Sequence, residues 1–120
     1  MAPRILVVDD DESILEMIDV ALSCEGYEVE TAPHGAAALD LLGRGRPDLI
    51  LLDMRMPVMD GWEFSRRYSE TMEPRAPIVV LTADRSAADS ATQIAADAYL
   101  PKPFDLDDLL QVVGRFQTPG

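Results

Sequence analysis

The stretch Leu49-Ile50-Leu51-Leu52-Asp53-Met54-Arg55-Met56-Pro57-Val58-Met59-Asp60-Gly61 decides how this chain folds. Four apolar residues run straight into one carboxylate. A continuous apolar run this short reads as a strand buried on both faces, as in a parallel sheet covered by helices. An aspartate has no place inside such a strand, so Asp53 belongs where the strand leaves the core. Pro57 and Gly61 make the following residues a loop rather than the first turn of a helix. That weighs against Asp53 as a helix N-cap, the usual role of Asp near a helix start.

Working outward, one unit recurs along the chain: a short apolar run, a polar punctuation, an amphipathic stretch. Such alternation argues for an α/β fold with a mostly parallel sheet. The first strand reads Arg4-Ile5-Leu6-Val7-Val8 and ends in Asp9-Asp10-Asp11-Glu12. Ser13-Ile14-Leu15-Glu16 has capping-box spacing, and Ile14, Ile18, Ala21 and Leu22 give the first helix an apolar face. Gly26 stops it. Glu28-Val29-Glu30-Thr31-Ala32 alternates, which predicts a strand with one wetter side, near an edge. Pro33-His34-Gly35 turns into a helix from Ala36 to Leu42, and His34, the only histidine, reads as a solvated turn residue. Gly61 to Glu70 is a short helix carrying Trp62, Phe64 and Tyr68.

Pro74 and Pro77 bracket the next turn. Ile78-Val79-Val80-Leu81 is another buried strand, ending at Thr82. Ala83 to Ala96 predicts a partly helical, weakly packed stretch whose apolar face is mainly Ile94 and alanines. Asp97-Ala98-Tyr99-Leu100 is the last strand, followed by Pro101-Lys102-Pro103-Phe104. Asp105 caps a final helix with Leu106, Leu109, Leu110, Val113 and Phe116 as its core face. Asp107 and Asp108 suit the positive end of its dipole.

The chain has 120 residues, which suits one domain over 1–120. Its 22 acidic residues against 10 basic ones leave a net charge of −12. Such a chain repels nucleic acid and anionic membrane and favours divalent cations and basic partners. No 18-residue apolar run and no charged-then-apolar leader is seen, so neither a membrane span nor secretion is expected. Cys24 is the only cysteine and has no partner for an internal disulfide, in keeping with a reducing cytoplasm. Late in an apolar helical pattern, it reads as a small semi-buried hydrophobe.

In a parallel sheet the strand ends share one edge, where open α/β sheets bind ligands. That gathers Asp9, Asp10, Asp53, Thr82 and Lys102 in one crevice. Two unit charges about 4 Å apart repel by about 4 kcal/mol at an effective dielectric near 20, so three carboxylates call for a hard cation. Mg²⁺ fits best, with Mn²⁺ as the alternative, because it takes a few protein oxygens and keeps positions for water and phosphate. An aspartate beside such a metal can attack a phosphoryl group and become an acyl phosphate. Lys102 and the Thr82 hydroxyl can then meet phosphoryl oxygens. Singly, Asp9-Asp10-Asp11 also reads as a solvated acidic cap, Thr82 as an N-cap and Lys102 as a turn residue. Their succession at strand ends is the specific signal.

With Ile5-Leu6-Val7-Val8-Asp9-Asp10, Asp53 with Met56-Pro57 and Met59-Asp60-Gly61, Leu81-Thr82-Ala83, and Asp97-Ala98-Tyr99-Leu100-Pro101-Lys102-Pro103-Phe104, the whole chain resembles a response-regulator receiver domain of two-component signalling. The likeness is to the chemotaxis-type single receiver. It implies a flavodoxin-like (βα)5 doubly wound fold, five parallel strands in order 2-1-3-4-5 with helices on both faces. By position, Asp53 resembles the phosphoacceptor. Asp10 and Asp53 resemble direct Mg²⁺ ligands, Asp9 a ligand through water, and the Arg55 backbone carbonyl a further one. Lys102 resembles the lysine that pairs with the phosphoryl group, and Thr82 and Tyr99 the switch pair. The Lys102–Pro103 bond is cis in that family. Arg55 and Asp84 occupy the variable positions that tune phosphoryl lifetime. They are expected to pair across the mouth and limit water access, the alternative being two unpaired surface charges.

One departure stands out. Ala95 holds a place where the family often has Gly, and a left-handed turn there is strained for alanine; extra mobility or an altered helix end is expected before the fifth strand.

The resemblance implies a phosphorylation-activated switch that catalyses its own aspartyl phosphorylation and dephosphorylation but acts by binding. The donor would be a histidine kinase or histidine phosphotransfer protein. The surface of the fourth helical stretch, fifth strand and final helix would engage a downstream protein, with no nucleic acid or membrane contact. The chain would be a cytoplasmic monomer or phosphorylation-dependent dimer, standing alone or cut from a longer regulator or hybrid kinase. Other function classes fit the residues less well. A metal-dependent phosphohydrolase wants a second acid two residues after the nucleophile, where Arg55 stands. A nucleotide or flavin binder wants a Gly- or Ser/Thr-rich loop after the first strand, where Asp9-Asp10-Asp11 would repel phosphate. A phosphorylation-independent interaction module has no need of the intact Asp9, Asp10, Asp53, Thr82 and Lys102.

Overall fold

Alternation along each central strand divides the core in two. The computed structural model describes residues 3–54, 56, 58–71, 76–82, 89, 91–92 and 94–116. The strands are β1 (Arg4–Val8), β2 (Glu28–Ala32), β3 (Leu49–Asp53), β4 (Ile78–Thr82) and β5 (Ala98–Pro101). They form one parallel sheet in the order β2-β1-β3-β4-β5. Ile5, Val7, Leu49, Leu51, Val79 and Leu81 point to one face, where they pack with Leu15, Ile18 and Leu22 of α1 (Glu12–Cys24) and Leu109, Val112 and Val113 of the final helix (Leu106–Gly114). Leu6, Val8, Ile50, Leu52, Ile78 and Val80 point to the other, against Ala38 and Leu42 of α2 (Gly35–Leu42) and Phe64 and Tyr68 of α3 (Gly61–Thr71). Period-two side chains on doubly covered strands explain why these strands read as unbroken apolar runs. The wetter β2 is an edge strand, as its alternation predicts.

The helix ends differ from expectation in instructive ways. Asp11, not Ser13, caps α1: its Oδ1 accepts from the Ser13 N–H at 2.9 Å and the Ile14 N–H at 3.4 Å. The acidic run thus starts the helix two residues early and leaves Ser13 inside its first turn. His34 is no mere turn residue. Its Nδ1 accepts from the Ala37 N–H at 3.1 Å and caps α2. Gly26 does end α1, at φ 92°, with the Tyr27 N–H reaching back to the Leu22 carbonyl.

Cys24 is exposed, because it lies two residues past Leu22 and so about 200° round from the buried stripe. Leu106, expected on the core face, is 49% exposed, whereas Val112, outside the expected face, is buried; Leu106 stands in the first turn and lines a cleft against Met17 and Val20 of α1. Asp105 caps the final helix as expected, accepting from the Asp108 N–H at 2.8 Å.

Of the stretch 83–96, residues 89, 91 and 92 are helical, and among its described residues Ala91 and Ile94 are buried. The rest of that expectation, with Pro57, Pro74 and residues 117–120, lies outside the described residues. The segment's end is described: the Ala96 N–H reaches the Ala91 carbonyl at 2.8 Å, and Ala95 takes φ 54°. That is a left-handed helix termination made with alanine in place of glycine. Among the described residues no helix is long and apolar enough to cross a membrane.

Candidate functional site

Strand register brings the site together. Val8 lies beside Leu52, so Asp9, one residue on, stands at the level of Asp53. Asp53 lies beside Leu81, and Thr82 beside Pro101, so Thr82 sits one step and Lys102 two steps further out along the same edge. The backbone continues the ladder past the strand ends: the Asp9 N–H donates to the Ala32 carbonyl at 3.1 Å and the Lys102 N–H to the Thr82 carbonyl at 2.8 Å. The side chains are thereby held by the sheet and not by free loops.

One carboxylate oxygen each from Asp9, Asp10 and Asp53 lies within 4.8 Å of the others. Asp9 and Asp53 are buried and Asp10 is exposed, so the cluster opens to solvent on one side. Asp9 Oδ1 accepts from the Asp11 N–H at 2.9 Å. The Lys102 ammonium donates to Asp9 Oδ2 at 2.6 Å and stands 3.6 Å from Asp53 Oδ2. Burial by itself lowers the pKa of Lys102, but the hydrogen bond to Asp9 and the charges of Asp9, Asp53 and Asp10 outweigh it and hold the ammonium above its ordinary value. Among the described residues one cation, Lys102, faces three carboxylates, which leaves negative charge uncompensated there, and an all-oxygen donor set suits a hard divalent ion. The cluster therefore fits Mg²⁺.

Thr82 is buried at the end of β4. Tyr99 pairs with Val80, two residues before Thr82, so Thr82 and Tyr99 share one face of the sheet on neighbouring strands. Tyr99 is 47% exposed. The Lys102–Pro103 bond is cis. Arg55 and Asp84 lie outside the described residues, and with them the expected pair across the mouth.

Sequence reasoning missed what shapes the loop after Asp53. A Cβ on Gly61 would stand 2.5 Å from Met54 Sδ, 2.8 Å from Met54 Cα and 3.0 Å from the Asp53 carbonyl oxygen. The Gly61 N–H donates to the Met54 carbonyl at 2.9 Å and closes the loop at its base. Asp60 caps α3, its Oδ1 accepting from the Glu63 N–H at 2.9 Å. The Asp60-Gly61-Trp62-Glu63 spacing carried that signal. Nothing in the sequence marked Val58, which takes φ 69°.

Known proteins match the chain in sequence family and in fold. The family model for the response regulator receiver domain matches residues 5–114. Response regulator MprA of Mycobacterium sp. (strain KMS) is 46% identical over 112 residues, which are 92% of this chain and 48% of that protein. The chain thus spans about half the length of the curated relatives it matches. Chemotaxis protein CheY4 of Vibrio cholerae superposes with a TM-score of 0.88 at 35% identity, covering 98% of this chain and 100% of the other. Response regulator TrrA of Thermotoga maritima, solved in complex with Mg(2+)-BeF, gives 0.84 at 36% identity, covering 96% and 99%.

Proposed function

This chain belongs to the response regulator receiver domains of two-component systems, and from that premise we propose that it is a phosphorylation-driven switch whose acceptor is Asp53. The observation that carries the reading is the gathering of Asp9, Asp10, Asp53 and the Lys102 ammonium at one sheet edge, with Asp53 at the end of a central strand. The donor is a histidine kinase or a histidine phosphotransfer protein. An Asp53 carboxylate oxygen attacks phosphorus, the bond from phosphorus to the donor's imidazole nitrogen breaks, and the imidazole leaves. Water later attacks the aspartyl phosphate and returns the carboxylate and inorganic phosphate.

Asp9, Asp10, Asp53 and the Arg55 carbonyl would hold Mg²⁺, or Mn²⁺ in its stead; when bound, the ion neutralises charge on the phosphoryl oxygens. The TrrA complex with Mg(2+)-BeF, on a chain 36% identical, supports that assignment. Lys102, already 3.6 Å from Asp53, exchanges Asp9 for a phosphoryl oxygen. The Thr82 hydroxyl donates to another, and Tyr99, half in solvent before this, turns in behind it. Arg55 and Asp84 set how fast water reaches the phosphoryl group. Phosphorylation then biases an equilibrium between two packings. Its readout is a surface made by the segment 83–96, β5 and the final helix, where a downstream protein binds.

The test is intact mass after incubation with Mg²⁺ and acetyl phosphate. One phosphoryl adduct on the wild-type chain is expected, absent with EDTA and in Asp53→Asn. An adduct that survives Asp53→Asn refutes the assignment. No adduct at all points to a phosphorylation-independent module.

A further inference from the structure

Asp11, Asp60 and Asp105 cap α1, α3 and the final helix, and each of those helices carries a further acidic residue in its first turn. The start of α2 has neither device. Its cap is the imidazole of His34, its first turn holds no acidic residue, and it begins with glycine and runs for eight residues. So short a helix draws little from intrinsic propensity. Its first turn leans on the 3.1 Å bond from the Ala37 N–H to His34 Nδ1.

That bond has a requirement which carboxylate caps lack. Imidazole accepts through Nδ1 only while neutral; protonated, both ring nitrogens are donors. The proton and the Ala37 N–H compete for one lone pair, and an imidazolium is further disfavoured at the positive end of the helix dipole. The cap is therefore present on the alkaline side of the histidine range and lost as pH falls through it. The charged groups on the elements beside His34 are Asp9, Asp10 and Asp11 on the loop after β1, Asp60, Glu63 and Arg67 at and after the start of α3, and Asp40 on α2 itself. Carboxylates ordinarily titrate near pH 4 and guanidinium groups above pH 12. Histidine is the type in this set that ordinarily changes charge between about pH 5 and 8.

The loop leaving Asp53 rests on that same first turn. A Cβ on Gly35, the first residue of α2, would stand 3.0 Å from Met59 Cγ and Sδ and 3.2 Å from Met59 Cβ. Gly35 and Met59 are both buried. Met59 lies two residues before Gly61, whose N–H closes the loop on the Met54 carbonyl, next to Asp53. A first turn that opens at its cap removes the support beneath Met59, and with it one side of the loop that leaves the acceptor.

We infer that His34 is a positioning residue for phosphoryl acceptance: as neutral imidazole it holds the loop after Asp53 through the first turn of α2 and Met59, and on protonation it releases that loop, which makes acceptance pH-dependent. The inference rests on the phosphotransfer reading above and goes beyond it by adding a regulating residue outside the acidic cluster.

The test compares the wild-type chain with His34→Asn, which caps at any pH, and His34→Ala, which caps at none. Each is measured at about pH 8 and about pH 5.5, on the two sides of the histidine range. Three quantities are read: amide exchange at Ala37 corrected for its intrinsic rate, melting temperature, and the rate of adduct formation from acetyl phosphate with Mg²⁺. All are taken relative to His34→Asn at the same pH, so that titration of the acidic cluster, common to the three chains, cancels. Near pH 8 the wild type should match His34→Asn within twofold in both rates. His34→Ala should exchange at Ala37 roughly fivefold faster and form adduct roughly threefold more slowly, the scale of one lost cap, and melt about 3–6 °C lower. Near pH 5.5 the wild type should move to the His34→Ala values.

A ratio of wild type to His34→Asn that is the same at both pH values, in exchange or in adduct formation, overturns the inference. Exchange that shifts without the adduct rate would confine the cap to its own helix; an adduct rate that shifts without exchange would place the proton elsewhere. No adduct on any of the three chains overturns the phosphotransfer reading, and this inference with it, whereas adduct formation indifferent to His34 overturns this inference alone.

Discussion

Gly61 and Ala95 show that the same pair of residues can matter in opposite senses. At Gly61 the obstacle is contact. An added methyl would meet the Met54 Cα and the Asp53 carbonyl oxygen, both backbone and unable to step aside as the Met54 sulfur can. Gly61→Ala should therefore destabilise the fold by roughly 1–3 kcal/mol, as forced overpacking does. Because the displaced atoms belong to the acceptor residue and its neighbour, the variant should also form less adduct at Asp53. Urea unfolding and intact mass on the same preparation check both; a normal adduct yield would show that the loop absorbs the methyl without moving Asp53. At Ala95 the obstacle is conformation. The residue is exposed at φ 54°, and its N–H reaches the Thr92 carbonyl in the turn that ends the segment. Ala95→Gly removes a left-handed penalty of about 1–2 kcal/mol and gives back part of it through the freer unfolded chain. A net gain of about 0.5–1 kcal/mol is expected, read as a higher urea midpoint at unchanged slope. A lower midpoint would mean that the methyl packs in a way its exposure conceals.

Elements were legible where one physical signal dominated. Leu49–Leu52 and Ile78–Leu81 could be read as buried strands because both faces of the sheet are covered, which makes apolar character continuous. The crevice followed, since parallel strands must end together and Asp9, Asp53, Thr82 and Lys102 were already read at strand ends. The 2-1-3-4-5 order came from the family resemblance, as no periodicity encodes it. Helix starts were read less well. Ser13 and Asp11 both offer a capping oxygen, and only the chain's path out of β1 decides between them. The cap at His34 was missed because an imidazole nitrogen accepts there in place of the usual hydroxyl or carboxylate. The cap at Asp60 was overlooked beside the turn signal of Gly61. Asp60→Ala should cost about 1 kcal/mol and raise amide exchange in the first turn of α3, at Glu63 above all, whose N–H loses its acceptor. Exchange unchanged at Glu63 would mean that the cap adds nothing there.

At the scale of the whole molecule the chain carries an excess of 12 negative charges and concentrates three carboxylates at one point of its surface. General self-repulsion and local crowding respond differently to ions. Any salt screens the first, with a Debye length near 10 Å at about 0.1 M. Only an ion that enters the cluster relieves the second. Melting should therefore rise with NaCl, and rise further with MgCl₂ at matched ionic strength. At a hundredfold excess over the dissociation constant the increment is about 2.7 kcal/mol. Asp10→Asn should lose most of that increment while keeping the response to NaCl. Lys102→Met provides the sharper case. It strips fully buried Asp9 of the ammonium 2.6 Å away and leaves it, among the described residues, the Asp11 N–H as hydrogen-bond donor. Removing one partner of a buried pair costs about 3–5 kcal/mol, discounted here because Lys102 itself is partly exposed. Without Mg²⁺ the variant should be less stable by about 2–3 kcal/mol on that discounted scale. With Mg²⁺ the deficit should shrink, since a divalent ion in the cluster takes over the neutralisation. A Lys102→Met deficit that is the same in both buffers would mean that the ion and the ammonium do not act on the same carboxylates, and would separate Lys102 from the site that the sheet edge assembles.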